Sequence, residues 1–541
     1  MRSKKWWIHD WTIVIVLIAI SLVPRLILLL NVHSYSSDGV SYLSTALYLR
    51  DPALVGEVPK RIYFILFPSL VLIFDTFLHN LALSGRLVDF LAGMAIPPLV
   101  FILGKRIFGL LPSFIASIFC ALNYDLVWQS TEIRGDILFA LATLLTILVF
   151  EKINWRNPRV RDSLLLALVM GIAQLARTNG LMYLLVVFPI WFWWLRKGII
   201  PFGSWFWRTF IPFAVLFALL ASIPHLLLAI RSEERPSMFI YTYLDGNITA
   251  SGDREATFFK LNADATEYQF IEDMAHADFG TIIETLPQFP KKYLHNLNYC
   301  FMLFFGPTID VMLKLSLILI PFLFYILYYW GEIKFPSGAK RLLFWAWPSF
   351  FLLPAINVED LYFLPLIPIL MLFLAWLIVT ASSLGWISRW KPWMIIILVL
   401  IVIVPMSVKT VGEIQDEAKY ANPYVPAGEW IKNNTPASTL IMARNPEIFF
   451  HALRRGFRMP SEDLNRTLIF ALNRNIDYII FGPIEIDKRN ELFFEAYDEV
   501  SRLGSKSRLK VVHTVEMGES VVYILQLVPE NFKVKSLPGI D

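Results

Sequence analysis

Acidic side chains near the ends of apolar runs are the residues of this chain whose types and positions could carry chemistry. Asp38 lies shortly after the first apolar run, and Glu132 and Asp136 lie together in the short segment TEIRGD. Two further acids, Glu359 and Asp360, precede a late apolar run in the segment NVEDLY. A carboxylate can remove a proton from a hydroxyl or amine nucleophile, so these positions are candidates for a general base.

Structural roles compete with this hypothesis for two of the acids. Asp38 precedes an amphipathic segment at 40–49, so its side chain could cap that helix, a role compatible with catalysis. Asp136 lies at the start of the apolar run 135–152, where a helix N-cap is a serious alternative. Three short acidic segments on one predicted surface favour a shared site.

Basic side chains are scarcer on the same predicted surface, where we find Lys60, Arg61, Arg134 and Arg177. Guanidinium groups pair with phosphate oxygens in a bidentate manner, so a phosphate held near the membrane would give each residue a function. The alternatives are snorkelling and ion pairing with nearby acids, for instance Arg134 with Glu132. The sequence also leaves open a divalent metal held by carboxylates and identifies no ligands for it.

Membrane-spanning helices must position these polar segments. Of the 541 residues, 56% are hydrophobic and only 17% are charged, which is typical of a polytopic membrane protein. About twenty apolar residues cross a ~30 Å hydrocarbon core. This criterion predicts about eleven spans, the first of which contains Arg25, pointing either into the bundle or outward by snorkelling. The spans are 11–30, 85–104, 109–128, 135–152, 163–178, 180–196, 208–230, 309–330, 342–356, 361–381 and 393–409.

Positive charges set the predicted orientation of these spans. With the N-terminus in the cytoplasm, most Lys and Arg residues between spans fall on the inner side, as positive-inside insertion requires. This holds only if the apolar segment 62–74, IYFILFPSLVLIF, stays at the outer surface as a re-entrant or interfacial segment. The basic start MRSKKWW then leads into an uncleaved first span, a cleaved signal peptide being the alternative.

Two domains follow from this pattern. Residues 1–409 form the transmembrane domain, with outer loops at 31–84 and 231–299. Residues 410–541 alternate helical patterns with short β-branched runs, which predicts a small α/β domain with a mostly parallel sheet outside the cytoplasm. The β-branched runs are 439–443, 478–482, 509–514 and 520–527. The predicted fold class is therefore mainly α and polytopic, with a small C-terminal α/β extracytoplasmic domain.

Six segments occur in a familiar order: SSDGVSYLSTA, FPSLVLIF, GRLVDFLAGMAIPPLVFILGKRIFG, TEIRGDILFALATLL, LARTNGL and LYFLPLIPILMLFLAW. As an ordered set, the segments resemble the GT-C superfamily of membrane glycosyltransferases. The branch they resemble contains the protein O-mannosyltransferases and the aminoarabinose transferases of lipid A. The resemblance covers most of 1–230 and recurs at 359–376.

The resemblance implies roles for the matching positions. Asp38 corresponds to the first-loop acid that acts as catalytic base, and Asp136 to the second outer acid of the catalytic site. Lys60, Arg61 and Arg177 lie where the resemblance implies contacts to the donor phosphate, and Arg134 is a further candidate for phosphate binding. In this chain Leu361 precedes Tyr362, whereas family members often have Arg before that Tyr, which leaves one donor contact without a counterpart. Glu132, Glu359, Asp360 and Tyr362 are further site candidates.

The predicted function is an inverting transfer of a hexose or pentose from a polyprenyl-phosphate donor at the extracytoplasmic face of a plasma or inner membrane. The acceptor is a hydroxyl or amine of a protein, lipid or glycan, and no nucleic acid is involved. The alternative is a transporter or flippase of lipid-linked or amphipathic substrates. Against it, the chain has no repeat between its halves and no paired spans broken by Gly or Pro.

Overall fold

The structure, a computed structural model, is mainly helical with a small β-sheet. It divides into two compact units. The first combines Met1–Val32, Arg61–Glu233 and Pro287–Ala418, and the second combines His33–Lys60, Glu234–Leu286 and Lys419–Asp541. The residues that it describes are 2–31, 36–51, 64–230, 260–266, 268, 290, 293, 294, 297, 334–351, 363–419, 422–488, 490–518 and 520–532.

The helices of the N-terminal half follow one another closely along the chain. They are α1 (Arg2–Asn31), α2 (Ser37–Arg50), α3 (Leu66–Leu78), α4 (Leu81–Ile107), α5 (Leu110–Leu122), α6 (Tyr124–Gln129), α7 (Asp136–Lys152), α8 (Val160–Ala176), α9 (Leu184–Arg196), α10 (Phe202–Trp205) and α11 (Ile211–Ile230). A 3₁₀-helix, Thr178–Tyr183, precedes α9, and a π-helical turn, Phe206–Phe210, precedes α11. The later apolar helices are α12 (Ser337–Phe351), α13 (Leu366–Ala381) and α14 (Lys391–Lys419).

Five helical segments of the described chain are long and apolar enough to cross a membrane. They are Asp10–Asn31, Leu81–Ile107, Thr178–Arg196, Phe202–Pro224 and Ser388–Asp416. The protein is therefore an integral membrane protein. The predicted number of about eleven spans is not reached among these residues, because five predicted spans correspond to shorter helices and 309–330 lies outside the described residues.

The predicted span 109–128 is two helices separated at Asn123. The side chain of Asn123 accepts a hydrogen bond of 3.0 Å from the backbone N–H of Leu126, so it caps α6. Its backbone is extended, with φ −63° and ψ 126°. An asparagine that caps a new helix interrupts the preceding one, and a hydrophobicity count cannot detect that interruption.

The apolar segment predicted at 62–74 overlaps α3, Leu66–Leu78. At about 1.5 Å per residue this helix is roughly 20 Å long, shorter than the ~30 Å hydrocarbon core. It packs against α4 and α8. A helix of this length agrees with a segment that does not span, although its depth in the membrane stays a prediction.

A five-stranded sheet forms the centre of the C-terminal region. Its elements are α15 (Tyr424–Asn434), β1 (Leu440–Ala443), α16 (Glu447–Ala452), β2 (Arg455–Arg458), α17 (Leu464–Asn473), β3 (Tyr478–Phe481), α18 (Pro483–Lys488), α19 (Asn490–Leu503), β4 (Leu509–Met517) and β5 (Ser520–Leu527). The strand order is β2-β1-β3-β5-β4. Four strands lie where the sequence predicts them, and β2 was missed because RGFR contains no β-branched residue.

The sheet is mixed, so the prediction of a mostly parallel sheet was wrong. β1 pairs in parallel with β2 and with β3, whereas β5 pairs antiparallel with β3 and β4. The connection between β4 and β5 is too short for a parallel crossover, which requires a dozen or more residues. Both faces of the sheet are covered by apolar side chains, with Ile441, Ile480 and Ile524 on one side and Ile479, Phe481 and Leu525 on the other.

Candidate active site

Asp136, the first residue of α7, is the centre of a buried ionic cluster. Its Oδ1 accepts a hydrogen bond from the Arg177 guanidinium, and only 1% and 5% of these two side chains are exposed. Arg134 Nε lies 3.6 Å from Asp136 Oδ2. The Arg177 guanidinium also lies over the Phe64 ring, 5.6 Å from its centroid. Opposite charges at this separation stabilise each other strongly when water is excluded.

Asp136 is not the N-cap of its helix, so that alternative was wrong. Gly135 occupies the cap position with φ 73°, and no side chain caps the helix there. The left-handed backbone favours glycine, and the Phe67 side chain approaches to 3.1 Å from the position that a Cβ would take. The carboxylate of Asp136 is consequently available to Arg177 and Arg134.

Asp89, inside α4, holds the segment that precedes Asp136. Its Oδ2 accepts hydrogen bonds from the backbone N–H groups of Arg134, at 3.0 Å, and Gly135, at 3.2 Å. The Asp89 side chain is completely buried. A buried carboxylate requires such donors, because its desolvation is otherwise very unfavourable. Asp89 thus fixes the backbone that aims Arg134 and Asp136.

Arg25, inside α1, supports the same segment from another helix. The sequence left two orientations open, and the structure shows the side chain pointing into the bundle, fully buried. Its guanidinium donates to Ser130 Oγ at 3.0 Å and to the carbonyl oxygens of Ala121 and Ser21 at 2.9 and 3.1 Å. Gly93 on α4 makes room for this contact, since a Cβ there would lie 1.9 Å from Ser130 Oγ.

Asp38 lies in the second compact unit, in the first turn of α2. The hypothesis that Asp38 caps this helix was wrong, because Ser36 is the N-cap and its Oγ accepts from the Gly39 N–H at 3.0 Å. An acid in the first turn still interacts favourably with the helix dipole. The Asp38 side chain is partly exposed.

Of the remaining predicted site residues, the structure describes one, Glu132, and leaves the others outside the described residues. Glu132 is buried in the same segment as Arg134 and Asp136. Among the residues that the structure describes, no group of three or more His, Cys, Asp or Glu side chains could hold a metal ion. The other candidates lie outside the described residues: Lys60, Arg61, Glu359, Asp360 and Tyr362.

Comparison with solved structures identifies the fold of the chain. ArnT from Cupriavidus metallidurans, an aminoarabinose transferase, matches in its apo state with a TM-score of 0.55 and bound to undecaprenyl phosphate with 0.52. Each match has 12% sequence identity and covers 100% of both chains. The chain has the GT-C fold.

A second GT-C protein agrees with this assignment. The archaeal oligosaccharyltransferase AglB from Archaeoglobus fulgidus, in complex with an inhibitory peptide and a dolichol-phosphate, matches with a TM-score of 0.54 and 12% identity. The match covers 90% of this chain and 70% of AglB. No protein-family model matches the sequence. No curated protein matches it either. The predicted resemblance to the GT-C superfamily is confirmed at the level of the fold.

Sequence reasoning missed Asp89 as part of this site in the GT-C fold. A carboxylate inside an apolar run is expensive to bury, so its presence in LVDFLAG was a usable signal. The hydrophobicity of this segment predicts a span, and neither the span nor the family resemblance assigns a role to Asp89. Its partners, the N–H groups of Arg134 and Gly135, are 45 and 46 residues away along the chain and are evident only from the packed helices.

Proposed function

We propose that the chain is an integral-membrane glycosyltransferase that moves a sugar from a polyprenyl-phosphate donor to an acceptor on the extracytoplasmic face. The observation that carries the proposal is the likeness over the whole chain to a transferase solved with undecaprenyl phosphate. The second similar fold was solved with dolichol-phosphate. Both bound molecules join a long isoprenoid tail to a phosphate. In this protein, apolar helices suit the tail and the buried arginines suit the phosphate.

An apolar groove supports binding of the isoprenoid chain. Its volume is about 450 Å³, and it lies between α1, α4 and α7. Ile18, Leu91, Leu141 and Leu145 contribute to its lining. Leu141 is five residues after Asp136 on α7, about 7.5 Å along the helix axis. The groove therefore lies about one and a half helical turns along α7 from the centre of the ionic cluster.

In this proposal the basic residues stabilise the departing phosphate. A polyprenyl phosphate is a good leaving group that needs charge stabilisation more than a strong acid. Arg134 suits this role, because 20% of its side chain is exposed and it lies beside Asp136. Arg177 is buried against Asp136 and suits the role of orienting that carboxylate. Lys60 and Arg61 remain proposed donor contacts.

Asp38 would act as the general base. It would take the proton of the acceptor hydroxyl or amine while the nucleophile attacks the anomeric carbon and the bond to phosphate breaks. One attack of this kind inverts the anomeric configuration. The acceptor class and the sugar stay open, and the transporter alternative is not favoured by the similar folds.

The test is release of polyprenyl phosphate by purified protein in detergent, with a panel of polyprenyl-phosphate sugars and simple acceptors. We expect release from at least one donor, and a loss of about 10²- to 10⁴-fold in Asp38→Asn, the range for removal of a general base. The matched control is Asp51→Asn. Asp51 follows the same helix and is exposed, so this variant should retain activity.

Three outcomes would contradict parts of the proposal. Full activity of Asp38→Asn would remove Asp38 from the mechanism. A folded protein that releases polyprenyl phosphate from no donor would contradict the transferase hypothesis. Movement of an intact lipid-linked sugar across a vesicle bilayer, without release, would favour the transporter.

A further inference from the structure

A strongly basic surface lies where two candidate spans meet. The spans Thr178–Arg196 and Phe202–Pro224 are joined by residues 197–201, so both reach the same membrane boundary there. From 152 to 208 the sequence contains eight Lys and Arg residues and a single acid, Asp162. Six exposed members of this set make up what we call the basic surface: Arg156, Arg159, Arg161, Arg196, Lys197 and Arg208.

Aromatic packing brings the two loops of the basic surface together. Trp155, just after α7, is almost completely buried, and its ring centroid lies 5.9 Å from that of Trp191 and 5.4 Å from that of Trp194 on α9. The Arg208 guanidinium donates to Asn157 Oδ1 at 3.5 Å. The basic residues that follow α7 and those at the end of α9 therefore belong to one surface, although about 40 residues separate them along the chain.

Two basic residues of other helices are paired with acids instead. Lys105 Nζ lies 2.6 Å from Asp10 Oδ2, and the Arg341 guanidinium donates to both carboxylate oxygens of Glu151 at 2.8 and 2.7 Å. Positive-inside insertion accounts for basic residues at a membrane boundary. It does not require that one segment carry eight of them with one acid. The excess of positive charge at the basic surface therefore indicates an anionic partner.

Exposed aromatic side chains lie beside the basic surface. Phe202 and Trp207, between the loop and α11, are 68% and 69% exposed. The Phe202 ring stacks on Phe206 at 6.0 Å between centroids. Aromatic side chains at the end of a membrane span lie at the depth of the lipid headgroups. Guanidinium groups at that depth can form bidentate hydrogen bonds with a headgroup phosphate. The surface thus suits an anionic partner that belongs to the membrane.

The basic surface is remote from the ionic cluster. Asp136 is the first residue of α7, and the basic surface begins after Lys152, its last residue. The two ends of this helix are about 24 Å apart along its axis. A headgroup phosphate at the basic surface is therefore too far from Asp136 to contact it.

We propose that the basic surface binds the headgroups of anionic phospholipids. The arginines and Lys197 neutralise the headgroup phosphate, while Phe202 and Trp207 lie among the neighbouring headgroups. Basic clusters next to membrane-spanning helices recognise anionic lipids in this way. The proposal goes beyond the transferase hypothesis and does not depend on it.

The test is thermal unfolding of the full chain in a neutral detergent, titrated with phosphatidylglycerol. We expect a saturable rise in Tm, because a lipid that binds the folded state stabilises it. The triple variant Arg156→Gln, Arg159→Gln, Lys197→Gln should need on the order of 10²-fold more lipid for half of the rise, at about fivefold per lost charge. Added salt should raise the lipid concentration that the wild-type protein needs, since it screens exposed charges.

The matched control also removes three exposed charges that are predicted for the same side of the membrane: Arg106→Gln, Lys334→Gln, Lys340→Gln. It should keep the wild-type titration, and without lipid both triple variants should unfold at about the wild-type temperature. Equal weakening in the two triple variants would show an effect of net charge alone and would overturn the proposal.

Two further ligands separate a lipid headgroup from other sources of stabilisation. Phosphatidylcholine has no net charge, and free glycerol phosphate has no acyl chains, so neither should raise Tm over the concentration range in which phosphatidylglycerol does. A rise as large as that with phosphatidylglycerol, from either ligand, would overturn the proposal. So would the lack of a saturable rise in the wild-type protein. None of these results bears on release of polyprenyl phosphate, so the transferase hypothesis is tested separately.

Discussion

The Asp136–Arg177 pair is almost completely withdrawn from solvent, with 1% and 5% of the two side chains exposed. The Arg502–Asp498 pair is different, because 76% and 49% of its side chains are exposed. An exposed pair contributes little, since water screens both charges. Removing one partner of a buried pair instead leaves a charge without compensation. The two pairs therefore make a matched comparison.

We predict that Asp136→Asn lowers the free energy of unfolding by about 3–5 kcal/mol, because the buried charge of Arg177 loses the carboxylate to which it donates. Asp498→Asn should change it by less than about 1 kcal/mol. Thermal unfolding in detergent measures both. The double variant Asp136→Asn with Arg177→Gln should recover part of the loss. Equal losses of unfolding free energy in the two single variants would show that the buried pair contributes no more to stability than the exposed pair.

Helices α1 and α4 together hold the segment 130–136. Asp89 binds its backbone, and Arg25 binds Ser130. Gly93 permits the approach, because any side chain at this position would occupy the space of Ser130 Oγ. The two helices therefore position the ionic cluster through close packing as well as through charged hydrogen bonds. Adding one methyl group at Gly93 tests the packing.

We predict that Gly93→Ala destabilises the protein by about 1–3 kcal/mol, the usual effect of forcing extra volume into a packed region. The matched control is Gly412→Ala in α14, where no atom lies within 4 Å of the added methyl group. That variant should be neutral or slightly stabilising, since alanine favours a helix more than glycine does. Thermal unfolding of both variants is the measurement. A stable Gly93→Ala would contradict the close approach of α4 to Ser130.

The whole molecule combines apolar spanning helices with a polar α/β region, and the side of the membrane on which each part lies stays a prediction. The positive-inside pattern places the N-terminus in the cytoplasm and residues 410–541 outside it. The predicted domain boundary at 409/410 falls within α14, which continues to Lys419. Ser383, between α13 and α14, is exposed and should be cytoplasmic, whereas exposed Ser505 should be extracytoplasmic.

We predict opposite labelling of cysteines placed at these two positions, in a variant whose Cys120 and Cys300 are replaced by alanine. A membrane-impermeant maleimide added to intact cells should label Ser505→Cys at once. It should label Ser383→Cys only after the membrane is permeabilised. The reverse result would invert the predicted orientation, and labelling of both in intact cells would contradict the assignment of α14 as a spanning helix.

Local patterns were sufficient for much of this protein. Apolar runs located the helices, and β-branched runs located four of the five strands, because hydrophobic periodicity and backbone preference act over neighbouring residues. The residue types of the segment TEIRGD were also sufficient to predict a functional site there. The sequence could not show that Asn123 ends one helix and caps the next, since the same residue type occurs in many loops.

The partnerships inside the site were decided only by the tertiary structure. Asp136 meets Arg177 across 41 residues, Asp89 meets Arg134 across 45, and Arg25 meets Ser130 across 105. Such contacts depend on which helices pack together, and packing depends on the complementary shapes of faces far apart in sequence. The chain alone therefore determined which groups were chemically competent, whereas the packing of α1, α4, α7 and α8 determined which of them meet.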